Sequence, residues 1–128
     1  MYEYKIDGEL CSKSNSRRIV SYGGSPRIIK SQKALDYVAS SLPQIAKQKK
    51  HKMLEEYIAI ELHVWYKSKR PDLDVSLVQD VLQEAGVYKN DRLIVELHAF
   101  KYIDRKNPRI IVRIKELSKD DLSNSGLF

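Results

Sequence analysis

Residues 54 to 66 read LEEYIAIELHVWY. Ile58, Ile60, Leu62 and Val64 fall on one side of an extended chain, and Tyr57, Ala59, Glu61, His63 and Trp65 fall on the other. A period of two among β-branched and aromatic residues is the pattern of a strand, so the stretch predicts one long strand over 54–66. Downstream, Leu77, Val78, Val81, Leu82 and Ala85 recur at helical spacing and stop at Gly86, a residue suited to the left-handed position after a helix. A second strand is expected over Leu93 to Tyr102. Asp104 to Pro108 then turns into a third, Arg109 to Lys115, and the last two strands read as a hairpin. Upstream, Tyr2 to Ile6 alternates like a short strand. Residues 7–30, with Gly8, Gly23, Gly24 and Pro26, read mostly as loop with short strands near Arg18–Tyr22 and Arg27–Ile29. Ser31 offers a cap to a helix carrying Ala34, Leu35, Val38, Ala39, Leu42, Ile45 and Ala46, which Pro43 is expected to kink or split.

The expected fold class is therefore α/β (α+β). It is a single compact domain over residues 1–116, a small mixed sheet with a C-terminal hairpin packed against two helices. Residues 117–128 are polar and aperiodic, and read as a flexible tail. Its end, an acidic stretch closed by Leu127-Phe128, is either a frayed terminus or a docking peptide for a protein partner.

Composition excludes several classes. At 128 residues with 42% hydrophobic content the chain is of one-domain size, and no apolar run approaches the ~18 residues of a membrane span. Its first residues lack a basic then apolar leader, and the single Cys11 cannot form an intrachain disulfide, so a reducing cytoplasmic setting and no membrane partner are expected. Twenty-three Lys and Arg against 17 Asp and Glu give a formal charge of +6, which favours a polyanion. The cations cluster: Lys13, Arg17, Arg18, Arg27 and Lys30; Lys47, Lys49, Lys50 and Lys52; Lys67, Lys69 and Arg70. A solvated surface explains the middle cluster equally well.

Against this background residues 69–74, KRPDLD, place two carboxylates directly behind two cations. Asp72 and Asp74 lie between strand and helix, and Asp91 lies between that helix and the next strand. Three carboxylates gathered at one point repel, and a divalent cation offsets that cost most simply; hard oxygens with room for water and phosphate describe a Mg²⁺ site. Structural roles compete: Asp74 stands where a helix cap would be, and Asp91 could simply close a turn after Asn90. His63 and His98 show no metal-ligand spacing, and packing explains them better. Trp65, Tyr66 and Tyr102 could stack on unpaired bases, although packing is the commoner role.

The stretches RPDLD, VLQEAGVYKNDRLIVELHAFK and NPRIIVRI, with ELCSKSNSRRIV and GGSPRIIKS before them, resemble the RusA family of Holliday junction resolvases, particularly its bacteriophage members. The resemblance runs over roughly residues 4 to 115. It implies a dimeric Mg²⁺-dependent endodeoxyribonuclease, with Mn²⁺ as a substitute, that cuts four-way or other branched DNA in recombination and repair. The family's catalytic, metal-binding aspartates fall on Asp72, Asp74 and Asp91. Its DNA-contacting loop falls on Ser12 to Arg18, and its post-catalytic lysine on Lys101. Expected DNA-binding residues are then Lys13, Asn15, Arg17, Arg18, Lys30, Lys69, Arg70 and Lys101. Val75 and Val78 stand where the family usually has asparagine and lysine, and Asn90-Asp91 where it often has two acids, departures that bear on junction specificity and dimer contact. The competing expectation is a non-catalytic basic DNA-binding accessory module, in which the aspartates only cap and turn.

Overall fold

A computed structural model describes residues 1–11, 17–22 and 25–118, with backbone alone for 17–22 and 25–30. Its elements in chain order are β1 (Tyr2–Asp7), β2 (Arg17–Tyr22), β3 (Ser25–Lys30), α1 (Gln32–Gln48), β4 (Ile58–Tyr66), α2 (Ser76–Glu84), β5 (Ile94–Ile103) and β6 (Arg109–Glu116), with a 3-10 turn at Asp91–Leu93. The alternation that marks β4 is realised residue by residue: Ile58, Ile60, Leu62, Val64 and Tyr66 are buried and the residues between them are half-buried. The strand starts at Ile58 rather than Leu54. Leu54 instead makes an isolated parallel bridge to Tyr88, donating to Val87 O at 3.0 Å and accepting from Lys89 N at 2.9 Å.

β4 is central in a mixed four-stranded sheet of order β1-β6-β4-β5. It runs parallel to β5, reached through α2, and antiparallel to β6, which pairs antiparallel with β1. The expected hairpin of the last two strands is thus corrected, because β4 lies between β5 and β6. A five-residue turn at ~3.3 Å per residue can span the ~10 Å between next-nearest strands. This one does so across the end of β4, where Asp104 N donates to Tyr66 O at 2.8 Å. β2 and β3 form a separate antiparallel pair with Arg17 opposite Lys30.

The helices cover one face of the sheet. Ala34, Tyr37, Ser41 and Ile45 of α1 and Leu77, Val78, Val81 and Leu82 of α2 join Tyr4, Ile6, Ile110, Val112, Ile114 and the inward residues of β4 in the core. Ser31 caps α1, its Oγ accepting from Ala34 N at 3.3 Å. Pro43 does not split the helix, which continues to Gln48. The missing N–H costs one backbone bond, and the packed face either side of it outweighs that loss. The last turns of α1 also close the β1 edge. Gln48 accepts from Lys5 N at 2.8 Å and donates to Lys5 O at 2.7 Å, and Gln44 accepts from Asp7 N at 2.7 Å and donates to Asp7 O at 3.1 Å. Two side-chain amides thus stand in for a further strand.

The opposite edge differs. β5 buries little, and Leu97, Phe100, Tyr102 and Ile103 are between 37% and 48% exposed. Leu117, the first residue of the expected tail, is buried and donates to Tyr57 O at 2.8 Å; residues 119–128 lie outside the described residues. Among the described residues no helix is long and apolar enough to cross a membrane.

Candidate active site

The loop joining β4 to α2 carries Asp72 and Asp74, and buried groups beneath it set its shape. Tyr66, the last residue of β4, is wholly buried because the strand's alternation turns it inward. Its hydroxyl donates to Asp72 O at 3.1 Å and accepts from the backbone N–H of Asp74, so one oxygen fixes both aspartate backbones. Burial raises the Tyr66 pKa, the Asp74 N–H opposes this, and the charges of Asp74, Glu9 and Asp72 raise it further. Lys101, on β5, reaches under the same loop. Its Nζ donates to Lys69 O at 2.9 Å and to Pro71 O, and lies 5.6 Å from the centre of the Tyr66 ring. Glu9 holds the start of the loop, accepting from Lys67 N at 2.7 Å. The consequence is an exposed Asp72 and a half-buried Asp74 whose Oδ1 accepts from Ser76 N at 3.0 Å, at the N-terminus of α2. Asp74 therefore does hold the first turn, although Val75 occupies the cap position itself. Cys11 is buried near Asp74; burial raises its thiol pKa, Lys33 lowers it and Asp74 raises it.

Asp91 begins the 3-10 turn that follows α2. Asn90 Oδ1 caps the 3-10 turn by accepting from Arg92 N at 2.9 Å, while Asp91 N donates to Gln83 Oε1 at 2.9 Å. Among the described residues its Oδ1 is buried with no hydrogen-bond partner. The nearby Tyr88 hydroxyl donates to Gln79 O at 2.6 Å, and burial, then the Asp91 charge, push its pKa well up. Beside Asp91 opens a depression of about 550 Å³ lined by Glu55, Tyr57, Lys89, Asn90, Arg92 and Leu93. Ser76 and Gln83, the helix residues that hold Asp74 and Asp91, are separated by about 10 Å of axial rise. The structure therefore gathers Asp72, Asp74 and Glu9 around Tyr66 and holds Asp91, in the turn after α2, against Gln83 and Tyr88. Among the described residues no three His, Cys, Asp or Glu side chains form a metal-binding group.

The donor chemistry nonetheless fits a hard cation. Mg²⁺ is commonly held through one or two carboxylates with water and phosphate completing its shell, and Asp72 with Asp74 supplies two on one loop. Asp91 Oδ1, buried and without a hydrogen-bond partner among the described residues, is a third acceptor of the same hard-oxygen type.

Of the expected DNA contacts, Lys69 and Arg70 are exposed on the aspartate loop. Lys101 is turned under it instead, so its ammonium supports the loop. Arg17, Arg18 and Lys30 lie on the β2–β3 pair, where backbone alone is described, and Lys13 and Asn15 lie outside the described residues. Sequence reasoning missed Glu9 and Tyr66 as neighbours of the loop. For Tyr66 a signal existed in its phase, which continues the inward set from Ile58; Glu9 is far away in sequence and carries none.

Two comparisons bear on this arrangement. A family model described as Endodeoxyribonuclease RusA matches residues 8–115. A relative named Crossover junction endodeoxyribonuclease RusA, from Aquifex aeolicus (strain VF5), is 30% identical over 106 residues, 80% of this chain and 82% of its own.

Proposed function

The chain belongs to the RusA family of endodeoxyribonucleases, and on that premise we propose that it resolves four-way DNA junctions by Mg²⁺-dependent phosphodiester hydrolysis in recombination and repair. The observation that carries this is the KRPDLD loop: two carboxylates and two exposed cations held on one rigid support by Tyr66 and Lys101. Asp72, Asp74 and Asp91 are the residues to hold the cation. When bound, it supplies Lewis-acid chemistry, making water more acidic and offsetting charge on the scissile phosphate. Lys69 and Arg70, with Lys13, Asn15, Arg17, Arg18 and Lys30, position the phosphate backbone, which sets affinity and register rather than base preference. Because a four-way junction has near-twofold symmetry and two strands to cut, the working form is a C2 homodimer. Cys11, a buried lone thiol, suits the reducing cytoplasm.

One observation favours the second reading, a basic accessory module without catalysis: the Asp74 carboxylate already has a structural task at Ser76 N. A synthetic four-way junction incubated with protein, with Mg²⁺ and then with chelator, separates the two. Paired nicks that need Mg²⁺ are expected; tight binding without nicks in any divalent metal would establish the accessory module.

A further inference from the structure

The sheet face turned away from the helices carries a ring ladder outside the candidate active site. Cross-strand register sets Trp65 opposite Tyr102 and His63 opposite Phe100. Trp65 and Tyr102 stack at 4.7 Å and 22°, and His63 and Phe100 at 4.8 Å and 12°. His63 also lies 5.6 Å and 14° from Tyr102 and is fixed by the Tyr102 hydroxyl at 2.8 Å. On the other flank, the Arg109 guanidinium lies 4.1 Å over the indole, held there by Asp104 at 2.8 Å. The rings are thus two near-parallel cross-strand pairs, with His63 tilted 32° from Trp65 and a cation over the indole on the β6 side. On the β5 side the row ends at the sheet edge, where Phe100 is 43% and Tyr102 37% exposed.

We propose that this ladder is a stacking site for unpaired nucleotide bases, a base continuing the row beyond Tyr102 and Phe100. Three observations favour that occupant over a second copy of the chain. Near-parallel rings in register leave a planar aromatic surface, which any base can cover whatever its sequence. Cations border the loop end of the row: Arg109, paired with Asp104, lies over the indole, and the loop leaving the same end of β4 exposes Lys67, Lys69 and Arg70 in a chain of net charge +6, while Glu61, bonded to His63, lies at the other end. A second copy would bring like charge to this end, whereas a strand brings phosphates. The ladder also joins the aspartate loop through adjacent residues, Trp65 facing the rings and Tyr66 holding Asp72 and Asp74. The proposal rests on the DNA-processing role above and adds to it a grip on bases freed from pairing at a branch point.

The chain has one tryptophan, stacked on Tyr102, so its emission follows the ring that a base would cover. The protein is titrated with a short single-stranded oligonucleotide and with an abasic strand of equal length, under light scattering to follow its oligomeric state. The base-bearing strand is expected to quench Trp65 and bind about tenfold more tightly than the abasic one. Phe100→Leu/Tyr102→Leu, which keeps apolar area and removes the π-faces, is expected to bind both strands with one affinity. Equal affinities in the wild type, or an undiminished base preference in the variant, overturn the proposal. So does a variant that loses a dimer and keeps the preference, since the face then serves self-association. A wild type that shows the base preference yet cuts no junction leaves this site standing and removes the resolvase assignment instead.

Discussion

Lys101 shows how a single side chain can be read in two ways. As a DNA contact its loss weakens binding and flattens the salt dependence, because each phosphate neutralised releases counterions. In the structure its ammonium is spent on the carbonyls of Lys69 and Pro71. Lys101→Met should therefore lower the turnover of bound junction about tenfold while gel-shift affinity changes little; the reverse pattern would return Lys101 to the DNA interface. Tyr66→Phe tests the same support from below. Removing the hydroxyl leaves Asp72 O and Asp74 N without their shared partner, at a cost of roughly 1 kcal/mol and a melting temperature lower by about 4 °C. For the carboxylates, Asp72→Asn, Asp74→Asn and Asp91→Asn should each reduce cleavage at least ~100-fold while preserving junction binding, since each removes a repulsion from phosphate. Wild-type cleavage by Asp74→Asn would leave that residue only its bond to Ser76, which Asn makes as well.

At the scale of elements, the turn between β5 and β6 is held by acid chemistry. Asp104 accepts from Lys106 N and Asn107 N, each at 3.2 Å, and pairs with Arg109. The Asn107 N–H first, then Arg109, hold its pKa below 3.8. On the outer sheet face the hydrogen bond from His63 likewise holds Glu61 below 4.5, with Arg113 and His98 nearby assisting. Both carboxylates are more acidic folded than unfolded, so their stabilisation is complete above the unfolded values and is lost as pH falls through the folded ones. The melting temperature should be flat above about pH 5 and decline below about pH 4, with Asp104→Asn shallower over that limb. An identical acid limb in wild type and variant would remove the turn from the explanation. The glutamines on α1 define a second element-level device. Gln48→Ala leaves Lys5 N and O unpaired at the β1 edge, and faster amide exchange at Lys5 is the expected result.

For the whole molecule, the +6 charge predicts junction affinity falling steeply with salt, while among the described residues the β5 edge exposes Leu97, Phe100, Tyr102 and Ile103 to other molecules. Residues 1–118 contain the sheet, both helices and the buried Leu117. Deleting 119–128 should therefore leave junction cleavage by the purified protein intact, and loss of cleavage would make those residues part of the working enzyme.

The sequence by itself determined what repeats along the chain. The period of two from Ile58 to Tyr66, the helical spacing of Leu77, Val78, Val81 and Leu82, Ser31 as a cap and Gly86 at φ +76° follow from backbone geometry acting over a few residues. The local proximity of Asp72 and Asp74 and the basic balance were legible for the same reason. Which strands pair was decided only in three dimensions: β5 and β6 adjoin in sequence, yet both pack against β4, because a strand buried on its inner face has two edges to satisfy. The tertiary structure likewise decided that Lys101 faces the loop, that Glu9 joins Asp72 and Asp74 around Tyr66, that Asp91 is held by Gln83 of α2, and that four rings share one face. Each is a contact between residues far apart in the chain, and no local period encodes it.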